Sequence, residues 1–313
     1  MRIAFLGTPE FAVPSLERLV EAGFDVAAVV TQPDKPKGRG KKLAPPPVKE
    51  AALRFGLPVH QPPKIKNQEA IDFFRGLGAE AMAVVAYGKI IPQAIIDIPE
   101  FGLINVHSSL LPKYRGAAPM QWAVAEGETR TGVTTMLIDA GLDSGDILLA
   151  AETGIDPEEN AVELSERLSL MGADLLVQTL RGVKEGAVRP KPQDHERATF
   201  APMLKKETGR IDWTWSAAKI HNRVRGFQPW PGAFTAFRGK SLHIWRSRVA
   251  VSAVGLAAGE IQTRGREVVA GCGEGTALEF VEVQLEGRKR IPAAAFANGQ
   301  RLSGGERLGE DSK

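Results

Sequence analysis

The sequence predicts an α/β fold: an open parallel sheet followed by a small β-barrel or sandwich. Two observations carry this. From residue 2 to residue 181, short β-branched runs alternate with stretches of helical periodicity, and such alternation builds a parallel sheet covered by helices. Beyond residue 226, five short strand-like runs are separated by Gly-containing turns, the pattern of a compact antiparallel module.

Residues 2–7 (RIAFLG) form the first strand. Pro14 suits the opening of the next helix, Leu16, Leu19 and Val20 share one of its faces, and Gly23 can end it. Residues 24–31 return as a strand, completing a βαβ unit with a right-handed crossover. Segment 33–49, rich in Pro, Gly and Lys, is a long loop, and loops of that length in compact domains are functional or disordered. A helix covers 48–55, and Asn67 caps another whose apolar face is Ile71, Phe74 and Leu77. Residues 81–87 read as a strand buried on both faces.

Strand 103–106 runs straight into HSSLLPKYRGAAP. A helix near 118–126, strand 132–138, the turn AGLDSGD and helix 158–181 follow. Periodicity stops over 182–206, which reads as a linker. A helix near 216–226 then precedes strands at 233–238, 240–249, 259–263, 266–271 and 277–285, and the tail 302–313 reads as disordered. The expected domains are 1–188, a linker at 189–206, and 207–313.

Charged residues make up 25% and apolar ones 43%, a balance that folds rather than stays disordered. One cysteine, Cys272, excludes an internal disulfide and a cysteine-cluster metal site. The five histidines are scattered, so no metal is expected. Apolar runs such as 81–87 fall short of the ~18–20 residues that span a bilayer, and MRIAFLGTPE reads as a strand rather than a signal peptide. The expectation is a cytoplasmic monomer with no membrane partner. Net charge is +3, unevenly spread. Residues 205–313 carry 18 basic and 11 acidic side chains, and 31–50 carries six basic and two acidic. Such clustering suits a polyanionic partner, although lysines also simply solubilise.

The first strand–helix turn, GTPEFA, lacks the glycine fingerprint for pyrophosphate, which disfavours a dinucleotide-dependent oxidoreductase. Gly7 and Pro9 read as a tight turn. The informative region is 103–146. Asn105 and His107 alternate at a strand end, so their side chains share a side, and ligands of open α/β sheets bind at the carboxyl ends of strands. Asp143, in a Gly-flanked turn after another strand, can converge on the same crevice. An amide, an imidazole and a carboxylate suit attack on a carbonyl. Asn can hold a developing oxyanion, His can do the same or shuttle a proton, and Asp can orient the imidazole or accept a proton. No Ser or Cys nucleophile is needed if the substrate brings its own amine. Taken singly, each is more often a structural residue.

NVHSSLLPKYRGAAP (105–119) and TGVTTMLIDAGLDSGDIL (131–148) resemble the formyltransferases that use 10-formyltetrahydrofolate. MRIAFLGTPEFAVPSLERL, TQPDKPKGRGKKLAPPPVKEAAL (31–53), LKKETGRIDW (204–213) and VRGFQPWPGAF (224–234) extend the resemblance nearly end to end, toward the branch acting on methionyl initiator tRNA. The resemblance implies a Rossmann-like domain followed by an OB-like barrel that binds tRNA. It implies Asn105, His107 and Asp143 as catalytic residues, and Ser109, Leu110, Leu111 and Pro112 as folate-binding, with both leucines walling the pterin. It implies a tRNA-contacting loop over 33–46, with Arg39 reaching the acceptor end and Lys35, Lys37, Lys41 and Lys42 around it. Trp213, Trp215 and Trp230 are expected to pack a domain junction. The rivals are a formyltransferase for a small amine, against which the basic loop and barrel argue, and a non-catalytic RNA-binding module, against which the intact trio argues.

Overall fold

The computed structural model describes residues 1–37, 42–251 and 255–309. By internal contacts the chain forms two units. One comprises Met1–Pro119, Arg130–Gly154 and Ser165–Ala201; the other comprises Met120–Thr129, Ile155–Leu164 and Pro202–Lys313.

The strands of the first unit are β1 (Arg2–Gly7), β2 (Asp25–Val30), β3 (Lys35–Lys37), β4 (Lys42–Ala44), β5 (Val59–His60), β6 (Ala81–Val85), β7 (Leu103–His107), β8 (Arg115–Gly116), β9 (Arg130–Leu137), β10 (Ile147–Gly154) and β11 (Phe200–Ala201). Seven of them form one sheet in the order β10-β9-β7-β6-β1-β2-β5. β7, β6, β1, β2 and β5 run parallel, whereas β9 lies antiparallel to β7 and β10 antiparallel to β9. The expected parallel sheet is thus its core, and two antiparallel strands complete one edge. β10 escaped the sequence reading because its burial alternates, as at an edge with one wet face.

Helices are α1 (Val13–Glu21), α2 (Pro47–Arg54), α3 (Gln68–Gly76), α4 (Gln93–Ile96), α5 (Pro119–Ala125), α6 (Ala161–Lys184), α7 (Ala217–Gly226) and α8 (Ala293–Gln300). Proline opens α1 and α2, and the Asn67 side chain caps α3 by accepting from the Ala70 amide. β1 and β6 are buried on both faces, and Phe5, Leu16, Phe74 and Met82 are wholly inaccessible. Gly7 serves close packing: a Cβ there would lie 2.7 Å from the Phe5 ring and 3.1 Å from the Val85 carbonyl. The loop over 33–49 is not structureless, since β3 and β4 pair antiparallel. Part of the expected linker is structured too. Lys191 bridges Ile147, and β11 pairs with β8.

The second unit holds β12 (Ala233–Phe237), β13 (Lys240–Val249), β14 (Glu260–Arg264), β15 (Glu267–Gly271), β16 (Ala277–Leu285), β17 (Ile291–Pro292) and β18 (Glu306–Arg307). The order β12-β13-β16-β15-β14-β18 is antiparallel throughout and forms an OB-like barrel. Leu242, Ile244, Phe280, Val283 and Phe296 fill it. Trp213 belongs to this core rather than to a domain junction, with its indole N–H donating to Thr235 Oγ1 at 3.0 Å. Trp215 carries Lys219 and Arg223 over its ring, and Trp230 is exposed. Among the described residues, no helix is long and apolar enough to cross a membrane.

The tail also corrects the sequence reading. Residues 302–309 are ordered, because β18 pairs with β14 and Leu308 is buried in the barrel core; residues 310–313 lie outside the described residues. Polar and glycine spacing hid one apolar anchor. Leu308→Ala is expected to lower the barrel's stability by about 2–4 kcal/mol, read by urea denaturation. A loss below about 0.5 kcal/mol, the range of surface changes, would make the tail dispensable.

Candidate active site

β7 ends in Asn105, Val106 and His107, and strand alternation sends Asn105 and His107 to one side. The chain then folds through residues 108–116. Tyr114 takes a left-handed φ of +60°, and its carbonyl comes 2.9 Å from His107 Nε2. A carbonyl only accepts, so Nε2 carries the proton and the tautomer is assigned. The other ring nitrogen, Nδ1, lies 3.7 Å from Asp143 Oδ2. That exceeds a hydrogen bond but sets the carboxylate beside the ring nitrogen that the Tyr114 carbonyl leaves open.

Asp143 comes from the turn after β9 and sits at a φ of +48°. Left-handed backbone is tolerated by Asp better than by most residues. Its Oδ2 accepts from the Gly116 amide at 2.8 Å. Gly145 is needed because a Cβ there would lie 2.0 Å from the Leu137 carbonyl. Asp139 braces the same turn, accepting from the Gly141 amide and from the Ser144 hydroxyl.

Asn105, His107 and Asp143 line one cavity of about 580 Å³. Ile90, Ile91, Met136, Ile138 and Leu142 give it apolar walls, and Lys89, Ser108 and Asp139 add polar groups. A cavity of that size and mixture suits a small organic ligand. Tyr87 belongs to the lining, is buried, and its hydroxyl has no partner among the described residues; burial pushes its pKa up to about 12. Among the described residues, no group of three or more His, Cys, Asp or Glu is arranged to hold a metal.

The structure brings the three candidate catalytic residues together. It does not place Ser109, Leu110, Leu111 and Pro112 on that lining. The Ser109 hydroxyl donates to the Lys113 carbonyl, and the Leu111 amide donates to Thr134 Oγ1. These four shape the turn that returns Tyr114 to His107. In the basic segment, Lys35 is exposed and donates to Gln32 Oε1. Arg39 and Lys41 lie outside the described residues, as do the side chains of Lys37 and Lys42.

Sequence reasoning missed Gln193 and Arg115. Gln193 is 5% exposed, and its amide donates to the carbonyls of Asp143 (3.0 Å) and Gly145 (2.7 Å). Its oxygen accepts from the guanidinium of the buried Arg115, which also donates to His195 Nδ1. A lone Gln between Pro192 and Asp194, in a stretch without periodicity, carries no signal of this bracing.

Comparison with known proteins matches residues 1–180 to the family model "Formyl transferase" and residues 203–301 to "Formyl transferase, C-terminal domain". The methionyl-tRNA formyltransferase of Solibacter usitatus is 61% identical over 310 residues, covering 99% of each chain. That of Koribacter versatilis is 57% identical over 312 residues, again covering 99% of each. A sugar 3N-formyl transferase, WlaRD, solved with dTDP and 5-N-formyl-THF, superposes with a TM-score of 0.68 at 18% identity, covering 92% of this chain and 99% of that one. At that identity the likeness is one of fold.

Gln193→Leu would strip partners from two carbonyls and from a buried guanidinium. The expected cost is about 2–3 kcal/mol in urea denaturation, with faster amide exchange across residues 141–146. Unchanged exchange there would mean that Gln193 does not brace the Asp143 turn.

Proposed function

This chain belongs to the methionyl-tRNA formyltransferase family, and on that premise we propose how its residues divide the work. The enzyme transfers the formyl group of 10-formyltetrahydrofolate to the α-amine of methionyl initiator tRNA, giving N-formylmethionyl-tRNA for translation initiation. One observation carries the mechanism: an amide, an imidazole and a carboxylate face one cavity at the carboxyl end of the sheet.

An α-amine beside an ester is a weak base, so part of it is neutral near pH 7 and can attack the formyl carbon. Asn105 donates to the oxyanion that develops there. His107 acts through Nδ1, because the Tyr114 carbonyl occupies Nε2. Protonated at Nδ1, it donates to the same oxygen. Asp143, 3.7 Å from Nδ1, takes the proton released by the attacking nitrogen and delivers it to N10 of the donor as the oxyanion re-forms the carbonyl and the bond between the formyl carbon and N10 breaks. Orientation of the ring, the task expected of Asp143, falls to Tyr114, which leaves the carboxylate free for charge and proton work.

The folate donor fits the cavity chemically. A flat pterin needs apolar walls with a few polar groups, which Ile90, Ile91 and Leu142 supply beside Lys89 and Asp139. Ser109, Leu110, Leu111 and Pro112 act on the donor through the shape of their turn, which sets Ser108 on the cavity lining. Lys35, Lys37, Arg39, Lys41 and Lys42 of the basic segment contact the acceptor end of the tRNA. The six basic and two acidic residues of 31–50 make that contact salt-dependent, and the net positive barrel adds a second docking surface. Such a substrate is made where ribosomes work, which places the enzyme in the cytoplasm.

The test is formyl transfer to methionyl initiator tRNA, beside a small-amine control. Asp143→Asn and Asn105→Ala are each expected to lower kcat by about 10²–10³, with KM for either substrate little changed. Near-normal turnover in Asp143→Asn would remove the proton role. In the basic segment, Arg39→Ala is expected to raise KM for tRNA more than Lys35→Ala does, because an Arg fork also stacks on or pairs with a base. Equal, small effects would reduce the loop to a solubilising device.

A further inference from the structure

Residues 86–91 form one wall of the catalytic cavity without a break. This wall does not hold its own shape. Ala86 takes a left-handed φ of +48°, a conformation disfavoured for alanine, and Gly88 follows at +78°. Two side chains tie the wall from outside. Thr8 Oγ1, just past the end of β1, donates to the Tyr87 carbonyl at 3.0 Å. Gln32, two residues beyond β2, reaches across the end of β1 and donates through Nε2 to the carbonyls of Tyr87 (3.0 Å) and Gly88 (3.2 Å). That reach requires glycine at 88, where a Cβ would lie 2.6 Å from Gln32 Nε2.

The oxygen of the same amide serves the basic segment. Gln32 Oε1 accepts from Lys35 Nζ at 2.8 Å, and the Gln32 backbone carbonyl accepts from Gln61 Nε2 at 2.8 Å. Gln61 Nε2 also donates to Asp34 Oδ1 at 2.7 Å, and both Asp34 oxygens accept from Lys49 Nζ at 2.9 Å. Asp34 and Lys35, the root of the segment, are thereby fixed to the end of the sheet. Both N–H groups of the Gln32 side chain meet carbonyls and its oxygen meets an ammonium, so the amide is fully used and only one orientation satisfies it.

We propose that Gln32 is a positioning residue for both substrates: its nitrogen holds the wall against which the folate donor lies, and its oxygen aims Lys35 at the tRNA. This rests on the readings of the cavity as the donor site and of the basic segment as the tRNA contact. Two substitutions separate the two tasks. Gln32→Glu keeps an acceptor for Lys35 but sets an anion against the carbonyls of Tyr87 and Gly88. Gln32→Leu loses both ends. Neither touches a residue that lines the cavity.

The experiment is steady-state formyl transfer to charged initiator tRNA by the native enzyme and the two variants. Gln32→Glu is expected to raise KM for 10-formyltetrahydrofolate about five- to thirtyfold, with kcat within about threefold of native and KM for tRNA within about twofold. Gln32→Leu is expected to raise the donor KM by a similar factor and KM for tRNA by about two- to fivefold. A native donor KM in Gln32→Glu would overturn the proposal. So would two variants that shift both KM values alike while the urea midpoint falls, the pattern of a merely structural residue. A native KM for tRNA in Gln32→Leu overturns the aiming of Lys35 if Arg39→Ala raises that KM, and overturns the tRNA reading of the segment if Arg39→Ala leaves it native as well. Calorimetry with unformylated tetrahydrofolate reads the wall without catalysis. Equal affinity in native enzyme and Gln32→Glu overturns the role of Gln32 alone, whereas no binding to the native enzyme overturns the donor reading beneath it.

Discussion

The site depends on one hydrogen bond, from His107 Nε2 to the carbonyl of Tyr114. It fixes the tautomer, and so decides which nitrogen faces the cavity. The bond forms only because the chain reverses between residues 108 and 114, and that reversal is tied at several points. Ser109 Oγ holds the Lys113 carbonyl, Thr134 Oγ1 accepts from the Leu111 amide and donates to the Ser109 carbonyl, and the Tyr114 amide donates to Thr199 Oγ1. Thr134 stands on β9 and Thr199 beside β11. The imidazole is thus oriented through the sheet, by the side chains of Ser109, Thr134 and Thr199 that tie the turn. Buried hydroxyls here are fully used, as a low-dielectric interior demands.

Asp143 is held by a different logic. Its turn is left-handed at the residue itself and relies on Gly145 where a Cβ would strike the Leu137 carbonyl. Such a turn is not self-supporting. Gln193 reaches in to occupy two of its carbonyls and is in turn gripped by Arg115. Arg115 and Gly116 form β8, and the Gly116 amide also donates to the Asp143 carboxylate. One short strand therefore anchors both the carboxylate and the side chain that braces its loop.

Much of this was legible in the sequence, for reasons that differ by element. β1, β2, β6 and β7 announce themselves because a parallel strand buried on both faces must be apolar throughout. α1 and α3 show through proline, Asn67 and a 3.6-residue period. The trio was legible because strand alternation puts Asn105 and His107 on one side, and glycines flag the Asp143 turn. What stayed hidden lacked periodicity. β10 alternates like an edge strand, Gln193 sits in a proline-rich stretch, and Leu308 is a single anchor among polar residues. The pairing of β3 with β4 was hidden by composition, since lysine and proline are poor strand formers.

The division of labour between Tyr114 and Asp143 also bears on why the site needs no nucleophile of its own. A carboxylate that oriented His107 through a short hydrogen bond would share its charge with the ring at all times. At 3.7 Å no such bond is made. Its Oδ2 is instead held by a backbone amide, which fixes position without supplying a proton the carboxylate could exchange. On the roles proposed for them, the carboxylate is then the partner of the amine that becomes cationic on attack, and the imidazole Nδ1 the partner of the oxygen that becomes anionic. Two opposite charges appear together in an acyl transfer to an amine, and a site with separate, pre-positioned partners for each lowers that barrier without a covalent intermediate.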